Sequence, residues 1–105
     1  MLSAKKWNGG VAHCPFENLA DLRETLDEIR AWPGIRERHP GIFYLTRVPC
    51  LHFHIDKSGR RSADARDGAE WGAEIEIPIG ASRAMQIRFA REVKRRYLAT
   101  SRPRV

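Results

Sequence analysis

The chain has 105 residues, of which 42% are apolar and 30% charged, a composition typical of a globular domain and not of a disordered chain. Its 19 Lys and Arg residues against 13 Asp and Glu residues give a formal net charge of +6, and much of the excess follows residue 87. No apolar run reaches the roughly 18 residues that a membrane-spanning helix needs. Two cysteines are too few for a disulfide framework, and no secretory signal is evident, so we expect a cytoplasmic protein.

The first predicted element is a helix that begins at Asn18 and stops near Ala31 or Trp32. Its apolar residues recur at intervals of three and four and so form one buried stripe. These residues are Leu19, Leu22, Leu26 and Ile29. Asn18 is the predicted N-cap, and Pro33 and Gly34 end the helix because proline cannot continue it.

Four strands are predicted after a polar connection at residues 35–40. They are residues 41–47 (GIFYLTR), 50–56 (CLHFHID), 60–66 (RRSADAR) and 73–79 (AEIEIPI), the last with Ile75, Ile77 and Ile79 on one face. A second helix follows, with Ser82 as its N-cap. Its predicted buried stripe is Met85, Phe89, Val93 and Tyr97.

These elements predict an α+β fold in the order α-β-β-β-β-α. The two helices would pack on one face of a four-stranded antiparallel meander, as a two-layer sandwich, and leave the other face open. We expect one domain over residues 1–105, with mobile ends at residues 1–15 and 99–105.

The turn between the second and third strands decides which side chains become neighbours. A three-residue turn at 57–59, with glycine in the left-handed conformation, pairs Asp56 with Arg60. A two-residue turn would instead pair Phe53 with Asp64, an apolar with a charged side chain. We therefore predict the three-residue turn, because a one-residue slip moves every side chain to the wrong face.

This register separates an apolar from a polar set. In the apolar set, Leu51, Phe53 and Ile55 lie opposite Ala65, Ala63 and the stem of Arg61, respectively. The polar set opposes His52 to Asp64 and His54 to Ser62. The predicted open face carries Cys50, His52, His54, Asp56, Arg60, Ser62, Asp64, Arg66, Glu74 and Glu76. Tyr44 joins it if the turn at residues 47–49 is also three residues long.

The function that this face predicts is a small binding module for a polar or anionic small ligand. Its candidate ligand-binding residues are His52, His54, Asp64, Arg66, Tyr44, Glu74 and Glu76. A divalent transition metal is one form of that ligand, since two imidazoles and a carboxylate, from His52, His54 and Asp64, are a common zinc or iron set. The structural alternative is a solvated polar face, which antiparallel sheets commonly have.

Two other function classes stay open. A small metal-dependent or acid–base enzyme would use an imidazole–carboxylate pair of His52 and Asp64, with Ser62 or Cys50 as a nucleophile. A nucleic-acid accessory protein would use the basic C-terminal helix and tail, although cations near a helix C-terminus also stabilise the helix. A dimer through an edge strand is compatible with the sequence, which does not require one.

Residues 32–68 resemble a family of small bacterial proteins of unknown function. That family has a helix ending in Pro-Gly, a Pro-Gly-x-Phe-Tyr strand, a Leu-His-Phe-His strand and an Ala-Asp strand. The matching positions here are Pro40, Gly41, Phe43, Tyr44, Leu51, His52, Phe53, His54, Asp56, Gly59, Ala63 and Asp64. The segment order is more faintly similar to the small luciferase-like domain family, which places histidines on a strand after a Trp-Pro-Gly helix end. Neither resemblance implies an activity.

Overall fold

Helices and an antiparallel sheet form an α+β fold in the computed structural model, which describes residues 12–101, with Ala12 and His13 described by their backbone alone. The strands are β1 (Ala12–His13), β2 (Ile35–His39), β3 (Ile42–Leu45), β4 (Val48–Ile55), β5 (Arg61–Asp67), β6 (Glu70–Trp71) and β7 (Ile75–Glu76). The helices are a 3₁₀ helix (Phe16–Leu22), α1 (Arg23–Arg30) and α2 (Arg83–Ser101). The predicted fold class is confirmed, with more strands than the sequence predicted.

The sheet is an open antiparallel meander. Its strand order is β2-β3-β4-β5, with β6 and β7 pairing with successive parts of β5 and β1 pairing with the end of β4. The predicted polar connection at residues 35–40 is wrong, because Ile35–His39 forms the edge strand β2. Its charged residues hid this strand from the sequence pattern, yet they suit an edge, where charge discourages pairing with other chains.

The fourth predicted strand, residues 73–79, is shorter in the structure. Only Ile75–Glu76 pairs as β7, and Pro78 beyond it has no N–H to donate. Ile77 is buried and Ile75 packs against the core, but Ile79 is exposed, which corrects its predicted place in the apolar set.

The first helical region begins earlier than predicted, at Phe16, with Pro15 as the flanking residue in place of Asn18. The Asn18 carbonyl accepts a hydrogen bond from the Arg61 guanidinium at 2.7 Å, which competes with regular α-helical bonding in these first turns. The predicted apolar stripe is confirmed, since Leu19, Leu22, Leu26 and Ile29 are all buried.

Helix α2 packs on the same core as the first helical region, and Thr25 of α1 donates a hydrogen bond to Gln86 of α2 at 3.0 Å. The Ser82 hydroxyl accepts a hydrogen bond from the Met85 N–H at 3.1 Å, so the predicted N-cap is confirmed. Phe89, Val93 and Tyr97 are buried as predicted. Within residues 12–101, no helix combines the length and hydrophobicity needed to cross a bilayer.

The β4–β5 hairpin has the predicted register. Leu51, His52, Phe53, His54 and Ile55 lie opposite Ala65, Asp64, Ala63, Ser62 and Arg61. The Asp56 N–H donates to the Arg60 carbonyl at 3.0 Å, and Gly59 has a φ of 87°. The hydrophobic pattern and the turn glycine together selected this register.

The β3–β4 turn differs from the prediction. Leu45 lies opposite Val48, so the turn has two residues, not three. A register shift then makes Cys50 an extra residue in β4, and its side chain belongs to the buried core and not to the predicted polar face. Ile42 lies opposite His52, and Tyr44, two residues further along β3, shares that face.

The predicted mobile ends lie largely outside the described residues. Residues 12–13 form β1, and residues 99–101 are the last residues of α2. The mobility of the remaining end residues, and the single-domain prediction over residues 1–105, stay predictions.

Candidate functional site

The polar face of the sheet is centred on β4 and β5. His52, His54 and Asp64 are only 8%, 3% and 3% exposed, so the centre of the face is more buried than a solvated face would be. Glu74 and Glu76 at its margin are exposed. A buried imidazole or carboxylate costs free energy unless it is hydrogen-bonded or paired. The hydrogen bonds and ion pairs of His52, His54 and Asp64 therefore decide what this part of the face can do.

His54 lies at the middle of a four-residue network. Its Nε2 atom is 3.2 Å from Asp64 Oδ2 and 3.6 Å from Glu74 Oε2. Its Nδ1 atom is 3.2 Å from Ser62 Oγ, and that hydroxyl donates to Glu74 Oε2 at 2.7 Å. Strand pairing explains the His54 contact with Ser62, because these residues lie opposite each other on β4 and β5. Glu74 directly precedes β7, in which Glu76 lies opposite Ser62.

The hydrogen bonds constrain the protonation of the His54 ring. A serine hydroxyl carries one proton, and the Ser62 proton points to Glu74. Ser62 Oγ can then only accept from His54, so Nδ1 carries a proton. Nε2 faces two carboxylates and must either be protonated, as in an imidazolium, or present its lone pair.

Three residues of the network offer ligand atoms close enough together to share one metal ion. Among residues 12–101, His54, Asp64 and Glu74 can each offer one ligand atom such that all three atoms lie within 4.8 Å of one another. With bonds of about 2.0 to 2.1 Å and tetrahedral angles, neighbouring ligands of zinc lie roughly 3.3 to 3.4 Å apart. The distances of 3.2 and 3.6 Å from Nε2 bracket that value.

The predicted metal set and the observed cluster share two residues. The prediction combines His52, His54 and Asp64, whereas the cluster contains Glu74 as its third residue. The His52 ring lies edge-on to the His54 ring, with centroids 6.4 Å apart. His52 lies opposite Asp64 in the register, as predicted. A role for His52 in binding an ion stays a prediction.

Trp71 was not among the predicted site residues. Its ring stacks on His52 with centroids 5.7 Å apart and planes 20° apart, and the Arg66 guanidinium lies 4.8 Å from the Trp71 ring. Arg66 also donates to the Pro49 carbonyl at 2.7 Å. The sequence did not predict Trp71 here because strand β6 is only two residues long and was not recognised. Its pairing with β5 places Trp71 opposite Arg66.

The other predicted ligand-binding residues lie further from His54. Tyr44 is on the β3 side of the face, where the Arg38 guanidinium lies 4.5 Å from its ring. Glu76 pairs loosely with Arg60 at 3.5 Å. Asp56 belongs to the hairpin turn, where its carboxylate accepts from the Ser58 and Arg60 backbone N–H groups. A ligand contact by Tyr44 or Glu76 stays a prediction.

Cys50 is unsuited to the nucleophilic role considered for it. Burial raises the pKa of its thiol to about 11, against the opposing effect of the Arg66 charge. The thiolate is the reactive form, so this cysteine is inert near neutral pH.

The basic residues of α2 are largely engaged within the protein. Arg95 pairs with Asp67 and Glu92 at 2.9 Å, Arg96 is buried, and the Lys94 ammonium lies 5.1 Å from the Trp32 ring. These contacts give Lys94, Arg95 and Arg96 a structural role. A nucleic-acid partner stays a prediction.

No family model, curated protein or solved structure matches this chain significantly. The two resemblances drawn from the sequence therefore stay predictions.

Proposed function

We propose that this protein is a small binding module that holds a divalent transition metal on the polar face of its sheet, with His54, Asp64 and Glu74 as ligands. The observation that carries the proposal is the convergence of their three ligand atoms within 4.8 Å. One imidazole and two carboxylates form a mixed nitrogen and oxygen set, which suits zinc, iron or nickel better than the soft ion Cu(I).

The surroundings of the cluster support this proposal. Two ligands, His54 and Asp64, are buried on rigid paired strands, whereas the Glu74 side chain is 53% exposed. Ser62 bonds to both His54 and Glu74 and so orients two ligands, as outer residues commonly do around metals. Three protein ligands leave a coordination position for water or for a polar or anionic small ligand.

A second candidate function is acid–base catalysis. Ser62 Oγ, the His54 ring and Asp64 Oδ2 form a continuous chain with both links at 3.2 Å, which is the order of a nucleophile, a base and an orienting acid. The Ser62 proton is directed to Glu74 and not to His54, which favours the metal over the nucleophile.

The test compares Glu74 and Glu76, two exposed glutamates that lie two residues apart. Chelator-treated protein is titrated with zinc, nickel and iron(II) by calorimetry, and its thermal unfolding is followed with and without each ion. We expect binding by the wild type and, at about 100 times Kd, roughly 2.7 kcal/mol of added stability. Glu74→Gln and His54→Gln should weaken binding at least tenfold, because each removes a ligand.

Glu76→Gln is the matched control, since Glu76 is 55% exposed and outside the cluster. It should bind ions as the wild type does. His52→Ala tests the predicted alternative set, in which His52 is a ligand. If no ion binds, or if Glu76→Gln weakens binding as much as Glu74→Gln, the metal proposal is wrong.

A further inference from the structure

We infer that Arg96 and Gly72 together position Glu74, so that a buried contact from helix α2 sets the strength of the proposed metal site. The inference rests on the proposed function, because it names the residues that place one ligand. Neither residue touches the ligand atoms, and both would act through the backbone of the segment between β6 and β7.

Arg96 links the helix to this segment. Its Nη1 atom donates to the Ala73 carbonyl at 2.9 Å and to the Ala65 carbonyl at 3.1 Å, and its side chain is buried. The Ala65 carbonyl also accepts from the Gly72 N–H at 2.9 Å. One guanidinium therefore joins strand β5 to the residue directly before Glu74.

Glu92 fixes the guanidinium in turn. The Nε atom of Arg96 donates to Glu92 Oε2 at 2.7 Å, one helical turn earlier. The donor directions of an arginine are rigid, so this bond leaves Nη1 aimed at the two carbonyls. The position of the segment is thus determined by helix α2 as well as by the sheet.

Gly72 makes this approach possible. A Cβ atom at residue 72 would lie 2.6 Å from Arg96 Nη1 and 2.9 Å from its Cζ atom. Any larger residue would displace the guanidinium or the segment, two residues before Glu74. Since a metal site requires its ligands within a few tenths of an ångström, such a displacement should weaken ion binding without removing a ligand.

The experiment uses the full chain with Gly72→Ala, Glu74→Gln and the double variant. Zinc affinity is measured by calorimetry, and the His54 ring nitrogen chemical shifts are recorded in metal-free protein at one fixed pH. We expect Gly72→Ala to weaken zinc binding about tenfold. It should also move the His54 nitrogen shifts in the direction that Glu74→Gln moves them. In the double variant, Gly72→Ala should add no further effect.

Arg95→Met is the matched control, because Arg95 shares Glu92 with Arg96 but pairs with Asp67 instead of the segment. It should leave both readouts unchanged. Arg96→Lys keeps the positive charge but removes the planar guanidinium that donates to the Ala65 and Ala73 carbonyls. It gives the same test if Gly72→Ala fails to fold.

Two results would overturn the inference. One is that Gly72→Ala lowers zinc affinity equally whether residue 74 is Glu or Gln. The other is that the His54 ring nitrogen chemical shifts are unchanged in both Gly72→Ala and Arg96→Lys. If the wild type binds no zinc, nickel or iron, the proposed function fails separately. The metal-free His54 shifts still decide whether Gly72 and Arg96 place Glu74.

Discussion

Arg61 is the clearest case of a single residue that holds several elements together. It is fully buried, and its guanidinium donates to Asp21 at 2.7 and 2.9 Å. It also donates to the carbonyls of Asn18, Ile77 and Pro78, each at 2.7 Å. Hydrogen bonding to Arg61 is the main reason that the pKa of Asp21 lies below its ordinary value. The sequence predicted only that the stem of Arg61 faces the core.

Arg61→Met should destabilise the protein by about 3 to 5 kcal/mol, because it removes the guanidinium donor from a partly buried carboxylate and from three carbonyls. Urea unfolding followed by circular dichroism measures the free energy of unfolding. The matched control is Arg60→Met, whose wild-type side chain is 67% exposed, and it should change stability by no more than about 0.5 kcal/mol. Similar losses in the two variants would contradict this role.

In helix α2, the spacing of apolar residues predicts which side chains are buried. The predicted stripe is buried at Phe89, Val93 and Tyr97, while Ile87, which does not fit that spacing, is 43% exposed. Phe89 packs against Phe53 of the sheet with ring centroids 5.6 Å apart. The stripe therefore joins the helix layer to β4, the strand that carries His54.

Phe89→Ala should cost about 3 to 5 kcal/mol, from lost burial and the cavity left behind. Ile87→Ala removes an exposed side chain from the same helix and should cost less than about 1 kcal/mol, most of it as lost partial burial. Thermal and urea unfolding of both variants would measure the difference. Comparable costs would mean that the helix does not pack by its predicted face.

For the molecule as a whole, ion pairs within helix α2 and between the 3₁₀ helix and the sheet make stability depend on pH. Hydrogen bonds from Arg95 and then Arg96 lower the pKa of Glu92 from its ordinary 4.5 to about 2. The pKa of Asp21 is lowered as well. A carboxyl group with a lowered folded pKa contributes stability above its unfolded pKa, and this contribution is lost as pH falls through the folded value.

The free energy of unfolding should therefore fall between about pH 4.5 and pH 2, with little change from these groups above about pH 5. Glu92→Gln should be less stable than the wild type near neutral pH and should show a shallower fall in acid. Urea midpoints across this range give the comparison. Because Glu92 is 37% exposed, solvent screening will make the effect modest. Parallel curves for the two proteins would rule out this ion pair as a cause of acid sensitivity.

Local patterns predicted the parts of the fold that depend on residues close in sequence. The helix stripes follow a period of 3.6, and the β4–β5 register follows from alternation together with Gly59. Strand β2 was missed because charge obscured its alternation. Cys50 was misplaced because the extra residue in β4 depends on its pairing with β3, which no pattern within β4 contains.

The sequence by itself determined the α+β class, the apolar and polar faces, and the pairing of His54 with Ser62, since each follows from side-chain periodicity and one turn. Only the tertiary structure decided that His54 faces both Asp64 and Glu74, and that Trp71 covers His52. The physical reason is that Trp71 lies in β6 and Glu74 directly before β7, and both strands are held by pairing with β5. The path of the chain between them depends on tertiary contacts, which no local pattern encodes.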